Sequence, residues 1–116
     1  RILAEAGTGV RFVRMDAPGD ATIPAHALNV VSTRLGTNLA NAAGARIATV
    51  EHFLAACWGA GLDNAVAEVD GPELPILDGS SAPFLDLIDE AGLVLLEAPR
   101  RRLRVLKQVG VSEGEK

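Results

Sequence analysis

Val10, Phe12, Val13 and Met15 alternate with Arg11 and Arg14 across "GVRFVRMD", the pattern of a half-buried strand with one irregularity. "APGDATIPA" follows, and Pro18, Gly19 and Pro24 mark it as an irregular connection. "ALNVVSTRLGTNLANAAGARIAT" carries β-branched and apolar residues in short bursts, broken by Asn41 and Gly44. It reads as two strands joined by a turn and ending near Ile47. The period then changes. Val50, Phe53, Leu54, Cys57 and Trp58 recur at helical spacing as one apolar face, with Thr49 as N-cap and Gly59 and Gly61 at the helix end. "LDNAVAEVDG" returns to alternation, with Ala65, Ala67 and Val69 on one face and Val66 and Glu68 on the other.

Three prolines and the Asp78-Gly79 turn make "PELPILDGSSAP" an ordered loop. Ser80 or Ser81 can cap a second helix, with Pro83 tolerated in its first turn. Phe84, Leu85, Leu87, Ile88 and Ala91 form its buried side, Asp86, Asp89 and Glu90 face water, and Gly92 closes it. "RRLRVLKQVGVS" reads as the start of another strand pair, with Leu103 and Val105 inward and Arg102 and Arg104 outward. The order of strands, helix, strand, helix and strands predicts an α+β domain with its helices on one sheet face, and no internal repeat interrupts it.

Composition narrows the function classes. At 116 residues and 48% hydrophobic, the chain can bury one core. A net charge of -4 gives no basis for binding nucleic acid or an anionic membrane surface. No apolar run approaches the roughly 20 residues that span a bilayer, so no stable membrane insertion is expected. A single cysteine rules out an internal disulfide framework and fits a reducing compartment, so a cytoplasmic location is expected. Arg1 at one end and "VSEGEK" at the other make both ends look cut, as in a piece of a longer protein.

Candidate chemistry concentrates at Glu51-His52, in the first turn of the first helix. Neutral imidazole is a common zinc ligand, and a nearby carboxylate can take a proton from water at the metal. Adjacent helical residues diverge by about 100°, which suits a division of labour with His52 on the metal and Glu51 beside it. The plainer alternative is a first-turn glutamate complementing the helix dipole beside a solvated histidine. The other nitrogen and sulfur donors are His26, in a proline-flanked loop, and Cys57, whose place on the apolar face suggests packing. A catalytic zinc usually takes three protein ligands, and these residues alone do not supply them. "GAGLDN" lacks the preceding strand of a dinucleotide fingerprint, "GSSAP" lacks the final glycine of a nucleophile elbow, and the arginines from Arg100 have no aromatics interleaved for base stacking.

Taken together, these segments strongly resemble one family. Thr49-Val50-Glu51-His52, Gly61-Leu62-Asp63-Asn64, the run from Glu73 to Ser80 and Ala82-Pro83-Phe84 resemble blocks of the zinc-dependent UDP-3-O-acyl-N-acetylglucosamine deacetylases of lipid A biosynthesis in Gram-negative bacteria. "STRLGTNL" and "VLKQVGVSEGEK" extend the likeness, which runs from roughly Thr8 to Lys116. The resemblance implies two similar domains, each a β-α-α-β layer, with the helices sandwiched between two sheets. On that basis residues 1–101 are the N-terminal domain without its first strands, and residues 102–116 begin the second domain. It further implies Zn2+ held by two histidines and an aspartate, with His52 as the first ligand, Glu51 as the general base and Leu35 lining the site. The substrate would be an acylated UDP-N-acetylglucosamine, and the products acetate and a free amine.

The departures are equally specific. The second histidine and the aspartate belong to a His-Lys-x-x-Asp pattern that this chain lacks, as is the general-acid histidine of the family. The resemblance therefore implies a metal-dependent amidase as the full-length parent and an inactive fragment that lacks its second domain as partner. The alternative is a non-catalytic binding or assembly domain on the same scaffold.

Overall fold

The computed structural model describes residues 4–100, 102–112 and 114. Phe12 sits at the centre of β1 (Val10–Arg14), the middle strand of a three-stranded sheet. β2 (Thr22–Pro24) pairs with it antiparallel and β6 (Ala65–Val69) pairs with it parallel. Ile23, Phe12 and Ala67 thus form one row across the sheet, and Phe12 and Ile23 are completely buried. The second sheet is an antiparallel meander of β3 (Val30–Ser32), β4 (Asn38–Ala40) and β5 (Arg46–Ile47), in which buried Leu39 faces buried Ile47. Helix α1 (Glu51–Gly59) links this sheet to β6, and helix α2 (Ala82–Ala91) follows.

One hydrophobic cluster joins these layers. Phe12 and Ile23 come from the first sheet, Leu39 and Ile47 from the second, Ala56 and Cys57 from α1, and Phe84 and Ile88 from α2. Phe53 of α1 stands between the rings of Phe12 and Phe84, with both centroids 5.7 Å away in edge-to-face geometry. Polar ties reinforce the join between the sheets. Arg14 donates to the carbonyl of Arg46 at 2.6 Å while its guanidinium pairs with Asp16. Asn41 donates to the carbonyls of Asp20 and Thr22. The α+β class and the packing of both helices against the sheets agree with the sequence reading.

Several local expectations need correction. Pro24 ends a strand instead of an irregular connection. β2 is an edge strand, where a missing N–H breaks no interior ladder. The segment from Ala27 to Thr49 holds three short strands, not two, because Asn38–Ala40 pairs on both sides. Arg14 shares the face of Phe12 and its side chain is only 12% exposed, whereas Met15 lies beyond the strand in solvent. Trp58 is 88% exposed. The core-facing stripe of α1 runs through Val50, Phe53, Cys57 and Ala60, which leaves position 58 at its flank.

The helix ends follow backbone chemistry more closely. Gly61, at φ +69°, gives its amide to the Trp58 carbonyl, and Leu62 gives its amide to Cys57, the double bond of a Schellman turn. At α2, Ser81 occupies the cap position without a side-chain bond, and Ser80 does the work from one residue earlier. Asp78 Oδ1 accepts both the amide and the hydroxyl of Ser80, and Ser80 Oγ accepts the amide of Ala82. Leu87 and Ala91 are exposed instead of buried, since Phe84 and Ile88, with half-buried Leu85 beside them, define the α2 face toward the core. Residues 102–112 contain no strand, and Leu103 is 91% exposed and Val105 also outside the core. Alternation alone cannot satisfy a strand's backbone groups when no sheet edge lies beside it. Among the described residues no helix is long and apolar enough to cross a membrane.

Replacing Phe12 with alanine is expected to lower unfolding free energy by about 3–5 kcal/mol, measured by denaturant titration, because both sheets and Phe53 lose a shared partner. Asp78→Ala is expected to lower the melting temperature by a few degrees, with Asp78→Asn recovering most of it. The bonds from Ser80 hold the Asp78 carboxyl below its ordinary pKa, so its contribution is present above about pH 4 and is lost as pH falls through the depressed value. Identical melting of Asp78→Ala and wild type would contradict the relay.

Candidate active site

The chain reaches α1 through a sharp corner. Ala48, leaving β5, is held on both sides by the loop that precedes α2: its amide donates to the Pro72 carbonyl, and its carbonyl accepts the Leu74 amide. Thr49 then turns the backbone with φ +58°, a conformation that costs a β-branched residue energy. Its hydroxyl donates to Glu73 Oε1 at 2.6 Å, so it does not cap α1 as the sequence suggested. The cap position falls to Val50, which offers no side-chain acceptor.

The loop between β3 and β4 closes over this corner. The Val50 amide donates to the Thr37 carbonyl at 3.3 Å, and the Thr37 amide donates to Glu51 Oε2 at 2.8 Å. This reciprocal pair fixes the Glu51 side chain with a charge-assisted bond. The other carboxylate oxygen lies against Gly36, where an added Cβ would come within 3.3 Å of Oε1 and 3.4 Å of Thr49 Oγ1. Leu35, one residue earlier, has φ +62° and is 99% exposed. His52 follows Glu51 in the first turn and is half-buried.

The candidate residues therefore separate. Glu51, His52 and the loop bearing Leu35 come together at the start of α1. His26 does not join them: it is exposed, and its Nδ1 accepts the Leu28 amide at the head of a single 3-10 turn. Cys57 is 2% exposed in the core, where burial pushes its thiol up to about 11, so it packs as a neutral side chain. Ser80 is absorbed in the α2 turn. The Gly61-to-Asn64 block is structural here: beyond the Schellman turn, Asn64 Oδ1 accepts the Gly9 amide and Asp63 pairs with Arg100 at 2.7 Å.

Glu73 and Thr37 escaped the sequence reading. Thr37 acts through its backbone amide, which leaves no trace in side-chain pattern. Glu73 opened one of the blocks that carry the resemblance and stands between two prolines, Pro72 and Pro75, but the path of its loop toward Thr49 is not revealed by the sequence. A cleft of about 760 Å³ opens elsewhere, between α2, β6 and the segment from Leu93 to Arg100. Neither Glu51 nor His52 lines it.

The donor set bears on a metal as follows. A partly accessible imidazole with a fixed carboxylate beside it suits one protein ligand of a zinc site and a neighbouring base. Among the described residues no group of three or more histidine, cysteine, aspartate or glutamate side chains could hold an ion. The chain's own residues thus fit part of such a site.

Comparison with known proteins bears on the same residues. The family model described as LpxC, UDP-3-O-acyl N-acetylglycosamine deacetylase, matches residues 2–116. The protein named UDP-3-O-acyl-N-acetylglucosamine deacetylase in Citrifermentans bemidjiense is 48% identical over 113 residues, 97% of this chain. Proteins of the same name in Phenylobacterium zucineum and Vibrio cholerae are 48% and 46% identical, each over 97% of this chain. The chain spans 37%, 39% and 37% of the length of these three relatives, respectively. With a family match across nearly every residue and relatives at almost half identity, the chain belongs to the LpxC family of UDP-3-O-acyl N-acetylglycosamine deacetylases.

Proposed function

We propose that this chain supplies the base-bearing part of the active site of a deacetylase acting on a UDP-3-O-acyl-N-acetylglucosamine. The observation that carries the reading is the Thr37 amide on Glu51 Oε2, which holds a carboxylate in one orientation beside His52. The relatives' shared name supports the substrate class and the reaction. In that reaction water adds to the acetamide carbonyl and the C–N bond breaks, giving acetate and a free amine. Glu51 takes the proton from the attacking water, and its fixed position reduces the reorientation needed before transfer. Leu35 projects from the loop that clasps Glu51, a place from which it can border the sugar nucleotide.

His52 would hold Zn2+ as one of its ligands, with a second histidine and an aspartate contributed from outside this chain. When bound, such an ion polarises the carbonyl and lowers the pKa of water. Residues 1–101 are read as one domain of the enzyme and residues 102–116 as the start of the next. The exposure of Leu103 and Val105 is consistent with a segment that pairs only within that second domain. The reaction is placed in the cytoplasm, where a free buried thiol such as Cys57 is stable.

In the full-length parent, Glu51→Ala is expected to retain zinc and lose deacetylation by roughly 10²–10⁴-fold, while His52→Ala loses zinc as well. Metal analysis and product assay on both variants check this, and normal turnover by Glu51→Ala would overturn the role of the base. The 116-residue chain by itself, supplied with zinc, is expected to show no deacetylation. Measurable turnover by it would contradict the requirement for donors from elsewhere.

A further inference from the structure

We infer that Glu73 is a positioning residue that acts through Thr49 to hold the Glu51 carboxylate in place. The inference rests on the reading of Glu51 as the base and extends it to a residue in a different loop. Three observations meet at this corner. Thr49 is a β-branched residue at φ +58°, a backbone state that persists only where its surroundings enforce it. The enforcement is visible on one side as the 2.6 Å bond from the Thr49 hydroxyl to Glu73 Oε1. Glu73 itself is anchored, because its neighbours Pro72 and Leu74 bond the amide and carbonyl of Ala48 across a parallel bridge.

The consequence for Glu51 follows from the chain path. Only one residue, Val50, separates Thr49 from Glu51, so the φ angle at Thr49 sets the direction in which α1 begins. That direction decides whether Val50 and Glu51 can meet the carbonyl and amide of Thr37 at the same time. Gly36 closes the arrangement from the other side: a Cβ there would touch both Glu51 Oε1 and Thr49 Oγ1, so those two oxygens share one small space beneath the loop. A Thr49 residue relaxed to negative φ would swing the helix start away from Thr37 and free the carboxylate to rotate. Glu73 touches neither Glu51 nor His52 by any bond of the described residues, and its effect passes through Thr49 alone.

The test uses the full-length, zinc-loaded enzyme and two readouts. Glu73→Ala is expected to lower kcat about tenfold, as a small misplacement of a catalytic group does, with KM changed less than about twofold. Glu73→Gln, which still offers an oxygen to the Thr49 hydroxyl, is expected to recover most of that loss. The amide proton of Thr37, followed by NMR, is expected to move upfield in Glu73→Ala as its bond to the carboxylate weakens, and to stay near its wild-type position in Glu73→Gln. Glycine adopts the left-handed region freely, so in a Thr49→Gly background the further change Glu73→Ala is expected to have no additional effect on kcat. Wild-type kcat and an unmoved Thr37 resonance in Glu73→Ala overturn the inference, and so does an equal loss in both backgrounds. Normal turnover by Glu51→Ala would instead remove the base assignment, while the Thr37 resonance would still report whether Glu73 holds the corner.

Discussion

The exchange of hydrogen bonds between Thr37 and the start of α1 is the contact on which the candidate site depends. The Thr37 carbonyl takes the Val50 amide, and the Thr37 amide gives to the Glu51 carboxylate. A backbone amide is a good choice for this task. It has no rotamers to lose, and its position is set by β4, which begins at the next residue. The carboxylate is therefore oriented by the sheet, not by a mobile side chain, and the first turn of α1 inherits the same alignment. The carboxylate end of the helix also faces the positive pole of its own backbone dipole.

The rest of the fold serves to keep that contact in register. Leu39 of β4 and Ile47 of β5 are paired and buried, so the strand that follows Thr37 and the strand that leads to Thr49 move as one unit. Val50, Ala56 and Cys57 then anchor α1 in the common core, with Phe53 bridging Phe12 and Phe84. The apolar stripe therefore places the helix, and the polar first turn projects from its end. The candidate chemical groups and the core-packing residues occupy separate parts of one short element. The thiol of Cys57 illustrates the division: one and a half turns after His52 it is raised to about 11 by burial and contributes volume alone.

How far the sequence foretold this differs by feature. β1, β6 and both helices were legible because each has several residues that repeat at one period and meet one core. β2 and β4 were not, since three residues cannot establish a period and Pro24 argues against a strand until its edge position is known. Trp58 and Leu87 were assigned inward by spacing, but the faces centred on Phe53, Ala56 and Cys57 and on Phe84 and Ile88 leave these two residues outside. At the candidate site, Glu51 and His52 could be singled out because a carboxylate and an imidazole carry chemistry in their side chains. Thr49 looked like a cap, but its hydroxyl was taken by a carboxylate 24 positions away, a competitor that no local pattern reveals. The strand expected from Arg102 onward met the same limit in reverse: its alternation is real, but residues 102–112 pair with none of the edge strands of the two sheets.

A crystal structure of the full-length enzyme with zinc bound tests the central claim most directly. The account predicts a His52 ring nitrogen about 2.0–2.1 Å from the ion. It also predicts that Glu51 Oε2 still accepts the Thr37 amide, with the carboxylate held beside His52. A His52 ring turned away from the metal, or a Glu51 carboxylate detached from Thr37 and pointing into solvent, would contradict it.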